Sequence, residues 1–201
     1  MLDKTLPYYH IIMKANAAHI QTLSPINLPS GYTYKMYEAG DEKHWIHLEY
    51  SVQEFSSEQD AQAYFTRVFL PYKEILPERM CFILDPQGFY VATATAWFKE
   101  DALHRYAVLH WVSTSPKRQG QGLGEAIVVY ALSKFKTLEK EKEIFLHTQS
   151  YSYKAVALYA KLGFKITKTP LLKQTSDPRV MPLLKKLLKP SIYHLLKETE
   201  Q

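Results

Sequence analysis

Between residues 103 and 135 the hydrophobic pattern changes period, and it does so across a cluster of glycines. Residues 103–114 read as one long strand, while from Leu123 to Phe135 apolar residues recur at helical spacing. The join is Pro116-Lys117-Arg118-Gln119-Gly120-Gln121-Gly122-Leu123-Gly124-Glu125-Ala126, which holds three of the chain's seven glycines. A helix N-terminus carries backbone N–H groups without intrahelical acceptors and a partial positive charge. Glycines at alternate positions remove the side chains that would keep an anion from those amides. Lys117 and Arg118 add mobile positive charge at the mouth. The segment predicts a phosphate or diphosphate site. A glycine-rich turn without ligand is the plain alternative, and such a concentration of glycine argues against it.

Two familiar phosphate loops fail on context. A Walker loop needs Lys-Ser/Thr after its last glycine, where this chain has Glu125-Ala126. A dinucleotide fingerprint needs G-x-G-x-x-G after the first strand of a βαβ unit, and here the spacing is G-x-G-x-G in mid-chain.

The surrounding elements define a mixed domain. Residues 8–13 read as a candidate strand, and Pro25 and Pro29 mark a loop before Gly31. Residues 32–37 alternate as a strand. Gly40-Asp41 opens a helix with Trp45, Leu48 and Val52 on one side. Ser57 with Asp60 makes a capping box for a second helix bearing Ala61, Phe65 and Val68, which Pro71 interrupts. The apolar run 80–84, the turn Asp85-Pro86-Gln87-Gly88, the run 89–98 and the strand 103–114 predict an antiparallel meander. After the glycine loop come a helix, a short buried strand around Ile144-Phe145-Leu146, a helix over 154–162 stopped by Gly163, and a last strand at 164–167. The order predicts an α+β fold with one sheet. Residues 181–197 are expected to hold one or two short helices between prolines.

Bulk properties bound the partners. The chain has 201 residues, 46% hydrophobic and 22% charged, in the range of a soluble globular domain. Its net charge of +5 attracts anions, but no basic run resembles a nucleic-acid arm. Cys81 is the single cysteine, so no intrachain disulfide exists, and it lies in an apolar run that predicts burial. No signal peptide or span of about twenty apolar residues is evident, so a cytoplasmic protein without membrane or nucleic-acid partners is expected. The leucine- and lysine-rich stretch 183–189 reads as a helix docked on a sheet edge or on the partner of a homodimer, with a membrane-surface helix as the alternative. His44 and His47 sit at metal-ligand spacing but lack a third ligand in register, so no metal is expected.

Gln119-Gly120-Gln121-Gly122-Leu123-Gly124 resembles the Q/R-x-x-G-x-G/A motif of the GNAT superfamily of acyl-CoA-dependent N-acyltransferases, and Ala155-Val156-Ala157-Leu158-Tyr159-Ala160-Lys161-Leu162-Gly163-Phe164 is similar to the family's second signature, A-x-x-L-Y-x-x-x-G-F. The two occur in the family's order. The resemblance implies a GNAT-like mixed, splayed central sheet flanked by helices over residues 32–168, with 1–31 and a helical 169–201 as extensions. It implies acetyl-CoA or coenzyme A as the acyl donor. Backbone near Val112 and Thr114 would hold the pantetheine arm, and Arg118, Gln119, Gly120, Gln121, Gly122, Leu123 and Gly124 the diphosphate. Ser152 stands where many relatives have Asn, as a substitute pantetheine contact with fewer donors. Tyr151 and Tyr153 beside it flank the cofactor tail or pack.

The implied reaction is direct transfer, usually of acetyl, to a primary amine of a small molecule or peptide. Tyr159 matches the tyrosine that protonates the leaving thiolate in many members, or it packs on its helix face. The carboxylate that many relatives carry on the fourth strand is missing from residues 103–114. His110 is the substitute base; on a regular strand it shares a face with Val112 and Thr114. His104, Tyr106 and Glu49 are further candidates. That missing carboxylate keeps a non-catalytic acyl-CoA-binding or regulatory module as the alternative.

Overall fold

Runs of apolar and β-branched residues bounded by turn chemistry become strands here, and runs with 3.6-residue apolar spacing become helices. The computed structural model describes residues 2–197. In chain order the elements are β1 (His10–Asn16), α1 (Ala17–Ile20), β2 (Thr33–Met36), α2 (Glu42–Ser51), α3 (Glu58–Val68), α4 (Leu76–Arg79), β3 (Met80–Leu84), β4 (Tyr90–Glu100), β5 (Arg105–Thr114), α5 (Leu123–Leu138), β6 (Glu143–Gln149), α6 (Tyr153–Lys161), β7 (Lys165–Ile166), α7 (Val180–Leu187) and α8 (Pro190–Leu195). The strands form one mixed, open sheet in the order β2-β3-β4-β5-β6-β1-β7, flanked by helices, and the expected α+β class holds. The parallel pairing sets Ala107–Leu109 of β5 on Ile144–Leu146 of β6; β2 with β3 and β3 with β4 are antiparallel.

The chain divides into two compact units. One, termed here the loop unit, comprises residues 24–97 and 110–134. Its β3–β4 hairpin is as the turn chemistry predicts: Asp85 caps its own turn by accepting from the amides of Gln87 and Phe89. The Ser57 hydroxyl accepts from the Asp60 amide at 3.1 Å and donates to the Asp60 carboxylate at 2.8 Å, so Ser57 caps the start of α3. Buried Phe65 of α3 meets Trp45 of α2 edge-on, at a centroid distance of 5.3 Å. The entry to α2 is fixed by buried Asp41, which accepts from Lys35, the Tyr90 hydroxyl and the Glu38 amide.

The other, the terminal unit, comprises residues 2–23, 98–109 and 135–197. Its β1 lies between β6 and β7 and pairs with β6 over its whole length. Burial on both faces marks it as an interior strand: Ile11, Ile12 and Met13 are all fully buried. Ile12, Val108, Phe145 and Leu171 form the core on one face. The last residues described belong to this unit structurally, since the Ile166 amide donates to the Leu196 carbonyl and the Asp177 amide to that of His10. Residues 198–201, the end of the predicted C-terminal extension, lie outside the described residues. No helix among the described residues is long and apolar enough to cross a membrane.

Candidate functional site

The glycine loop is held from beneath by the strand that precedes it. The Ser115 amide donates to the Val91 carbonyl and the Gln119 side-chain amide to the Thr114 carbonyl, which pins the loop to the ends of β4 and β5. Gly120 and Gly122 take left-handed φ values of 80° and 79°. An added Cβ at either would meet nothing within 4 Å, so their conformation rather than crowding calls for glycine, and open space lies above them. Gly124 is different: its Cβ would lie 3.4 Å from Thr114 Oγ1, so here a small residue lets α5 sit close on β5. The Ala126 amide bonds to the Gly122 carbonyl, so the amides of the residues just before it have no acceptor within the helix. Open space, left-handed glycines and a sixteen-residue helix behind them fit a diphosphate.

Arg118, expected as mobile charge, is tied down. It donates to Asp85 Oδ2 at 2.7 Å. Burial opposes ionisation of Asp85, but hydrogen bonds from the Phe89 amide, the Arg118 guanidinium and the Gln87 amide outweigh it and hold the carboxyl below the usual carboxylate range. The Tyr32 hydroxyl donates to Gln121 Oε1 across the loop.

Upstream, β5 is not regular. Trp111 has φ +46°, in the left-handed region where a bulky residue is an outlier. The consequence is a change of facing. His110 and Trp111, adjacent in sequence, both meet Tyr64 of α3: the His110 Nε2 to Tyr64 hydroxyl distance is 3.2 Å, and the Trp111 and Tyr64 rings are 4.8 Å apart. His110 therefore faces α3, while Thr114 faces α5; the regular-strand expectation that they share a face is corrected by the irregularity at Trp111.

Beyond it, Ser113 turns toward α2 and donates to Glu49 Oε2 at 2.8 Å. Glu49 is fully buried, and its Oε1 accepts no hydrogen bond among the described residues. Burial pushes its pKa up to about 8, despite the Ser113 hydroxyl; nearby Glu54 adds to the rise. Trp45, Phe55, Tyr64 and Trp111 form a connected aromatic cluster in the same unit. The sequence offers Glu49 as one candidate among several and gives no motif that marks Ser113 or Tyr64. A signal existed: Glu49 follows Leu48 and lies one turn after Trp45, a carboxylate in an apolar stripe.

The loop unit thus brings together His110, Val112, Thr114 and Arg118 through Gly124. Ser152 and Tyr159 belong to the terminal unit. Ser152 precedes α6, and its hydroxyl accepts from the Gln149 side chain at 3.1 Å. Tyr159 is buried on α6, with its ring 6.1 Å from Phe164. His44 stacks on Tyr90 at 3.9 Å and His47 pairs with Glu58, and the described residues contain no cluster of three metal-ligating side chains. Cys81 is buried, and burial pushes its thiol up to about 12. Tyr151 lies 5.8 Å from Tyr8, ring to ring.

The chain matches the family model described as the acetyltransferase (GNAT) family over residues 40–164. No curated protein matches it. Among solved structures it resembles a GCN5-related N-acetyltransferase from Sphaerobacter thermophilus, at 18% identity and TM-score 0.57, covering 80% of this chain and 49% of that one. It also resembles a GNAT-family acetyltransferase from Colwellia psychrerythraea, at 13% identity and TM-score 0.59, covering 80% and 53%. Glucosamine-6-phosphate N-acetyltransferase from Arabidopsis thaliana is similar at 18% identity and TM-score 0.51, covering 73% and 97%. The chain thus spans about half the length of the first two. At such identities the likeness is one of fold, and the family model carries the assignment. The chain belongs to the GNAT acetyltransferase family.

Proposed function

We propose that this protein is an N-acyltransferase that moves an acyl group, usually acetyl, from coenzyme A to a primary amine on a small molecule or peptide. The observation that carries the reading is the loop from Arg118 to Gly124: left-handed glycines under open space, a helix start behind them, and a fixed guanidinium beside them. When bound, acetyl-CoA would supply an activated thioester carbonyl. Gln119 through Gly124 would hold its diphosphate, and the backbone near Val112 and Thr114 its pantetheine arm. Ser152 is proposed as a further pantetheine contact.

Attack on a thioester needs a neutral amine, so the chain must take up a proton from the ammonium form. Glu49 fits that task better than His110. Its Oε1 accepts no hydrogen bond among the described residues and burial raises its proton affinity into the working range, whereas the His110 ring is bonded to Tyr64. We assign Glu49 as the proton acceptor, directly or through water, with Ser113 fixing its other oxygen. Tyr159, from its place in the second signature, is proposed to give a proton to the departing thiolate.

Calorimetry with coenzyme A and acetyl-CoA, followed by an acceptor screen for amine acetylation, tests this reading. Saturable binding and transfer to at least one amine are expected, with Tyr159→Phe slowing transfer while leaving coenzyme A affinity within about threefold. Binding without transfer to any amine would instead favour the non-catalytic module. Absence of binding by folded protein would overturn both.

A further inference from the structure

In the terminal unit, β1 and β6 set two imidazoles against each other. The antiparallel register pairs His10 with Gln149 and Ile12 with His147, so the two histidines are diagonal neighbours on one face of the sheet. Their rings lie 4.0 Å apart, centroid to centroid, with planes inclined by 30°. The Nε2 atoms of both are buried and make no hydrogen bond among the described residues. Native interiors leave few such atoms unpaired, and each calls for an explanation.

The charge of Lys99, on β4, acts on both rings. Burial first, then repulsion by the Lys99 ammonium, lowers the proton affinity of His10; burial, then His10 and Lys99, pushes the His147 pKa down to about 4. Lys99 is itself lowered by burial. Several charged groups on the adjoining elements have partners of their own. On β1 and β6, Lys14 pairs with Glu143 at 2.8 Å. Asp177, whose amide bonds to the His10 carbonyl, is held by the Arg179 fork. Asp101 accepts from the amides of Leu103 and His104 in the β4–β5 turn, and the Tyr106 hydroxyl lies 3.5 Å from its carboxylate. The trio is left with a positive field and two buried nitrogens.

A metal ion is the obvious competitor for paired imidazoles. Lys99 argues against it, because a field that opposes a proton on these rings opposes a cation too. No set of three metal-ligating side chains exists among the described residues. We infer that His10 and His147 form an anion-binding site that takes a carboxylate or a phosphate group, with the two Nε2–H groups as donors and the charge of Lys99 favouring the anion. The inference stands apart from the acyl-transfer reading and from the glycine loop. A bound anion favours the protonated imidazole, so occupancy takes up a proton from solvent.

The test is a titration with inorganic phosphate and, separately, with succinate, on protein already saturated with coenzyme A so that the glycine loop is not counted. Imidazole resonances of His10 and His147, assigned by their loss in His10→Gln and His147→Gln, report the site. Saturable shifts of both rings are expected, together with a His147 pKa that rises from about 4 and a binding heat that differs between buffers of unequal ionisation enthalpy. Lys99→Met is expected to weaken binding about tenfold while coenzyme A affinity is unchanged. A response to phosphate alone, or to succinate alone, identifies the group the site takes. The inference is overturned if neither anion moves these resonances, if Lys99→Met leaves the affinity intact, or if zinc shifts both rings while the anions do not. Should coenzyme A fail to associate, the acyl-transfer reading falls, and the two imidazoles still report on the anion.

Discussion

A single carboxyl group, Glu49, sets stability against chemistry. In the unfolded chain it titrates near the usual 4.5, and in the folded protein near 8. Between those values the folded state holds a proton that the unfolded state has released, so the unfolded state binds fewer protons and stability falls as pH rises. The loss begins near pH 4.5 and is complete above about 8. Gln has the same shape, keeps an oxygen for the Ser113 hydroxyl and never ionises. Glu49→Gln is therefore expected to match the parent at acid pH and to exceed its unfolding free energy by about 3–5 kcal/mol above pH 8, as read by urea denaturation across pH. In the acyltransferase assay the same substitution should lower kcat/KM by about 10²- to 10³-fold and abolish the rise in rate through the Glu49 titration. A stabilised variant that keeps full activity would show that Glu49 is only an awkwardly buried carboxylate. Sequence reading could see Glu49 on an apolar stripe but not this conflict, which comes from complete burial in the assembled fold, nor the partner Ser113, which faces α2 beyond the irregularity at Trp111. Nothing in the residue type Trp announces a left-handed backbone, whereas glycine does.

At the scale of elements, what was legible is what local chemistry specifies. The Ser57 cap of α3 and the glycine loop before α5 follow from a few adjacent residues, and so does the stop of α6. What was hidden is long-range pairing. The segment 8–13 reads as a candidate strand, but nothing in it says that β1 lies between β6 and β7, because its register partners are over a hundred residues away. The end of α6 joins the two cases. Gly163 stops the helix with φ +95°, as its position predicts, and a Cβ there would also collide with the His19 ring, a close approach that only the fold reveals. Gly163→Ala thus incurs two costs: about 1–2 kcal/mol for a left-handed alanine and about 1–2 kcal/mol for the crowding. His19→Ala in the same chain should remove the second and leave the first. Equilibrium denaturation of the four members of the cycle checks this, and additive effects would show that the His19 ring simply swings aside.

For the molecule as a whole, charge and ligand should act through the same few amides. The chain carries +5 against a polyanionic cofactor, so salt is expected to weaken coenzyme A binding by screening the general attraction. Screening cannot account for binding that depends on the shape of the loop. Gly122→Val leaves the net charge unchanged but puts a branched side chain at a left-handed position beneath the open space. If the loop holds the diphosphate, this variant should lose affinity at low and high salt alike, by at least about tenfold. The thermal consequence follows from linkage: a ligand present at a hundred times its dissociation constant stabilises the folded state by about 2.7 kcal/mol. For a chain of this length that corresponds to a rise in Tm of about 5–10 °C. Pantetheine, which lacks the diphosphate, should give little of that rise, and Gly122→Val should not show it with coenzyme A. If pantetheine stabilises the protein as well as coenzyme A does, or if the valine variant keeps the full shift, the helix-start amides are not what grips the cofactor, and the positive charge of the surface has to explain the binding instead.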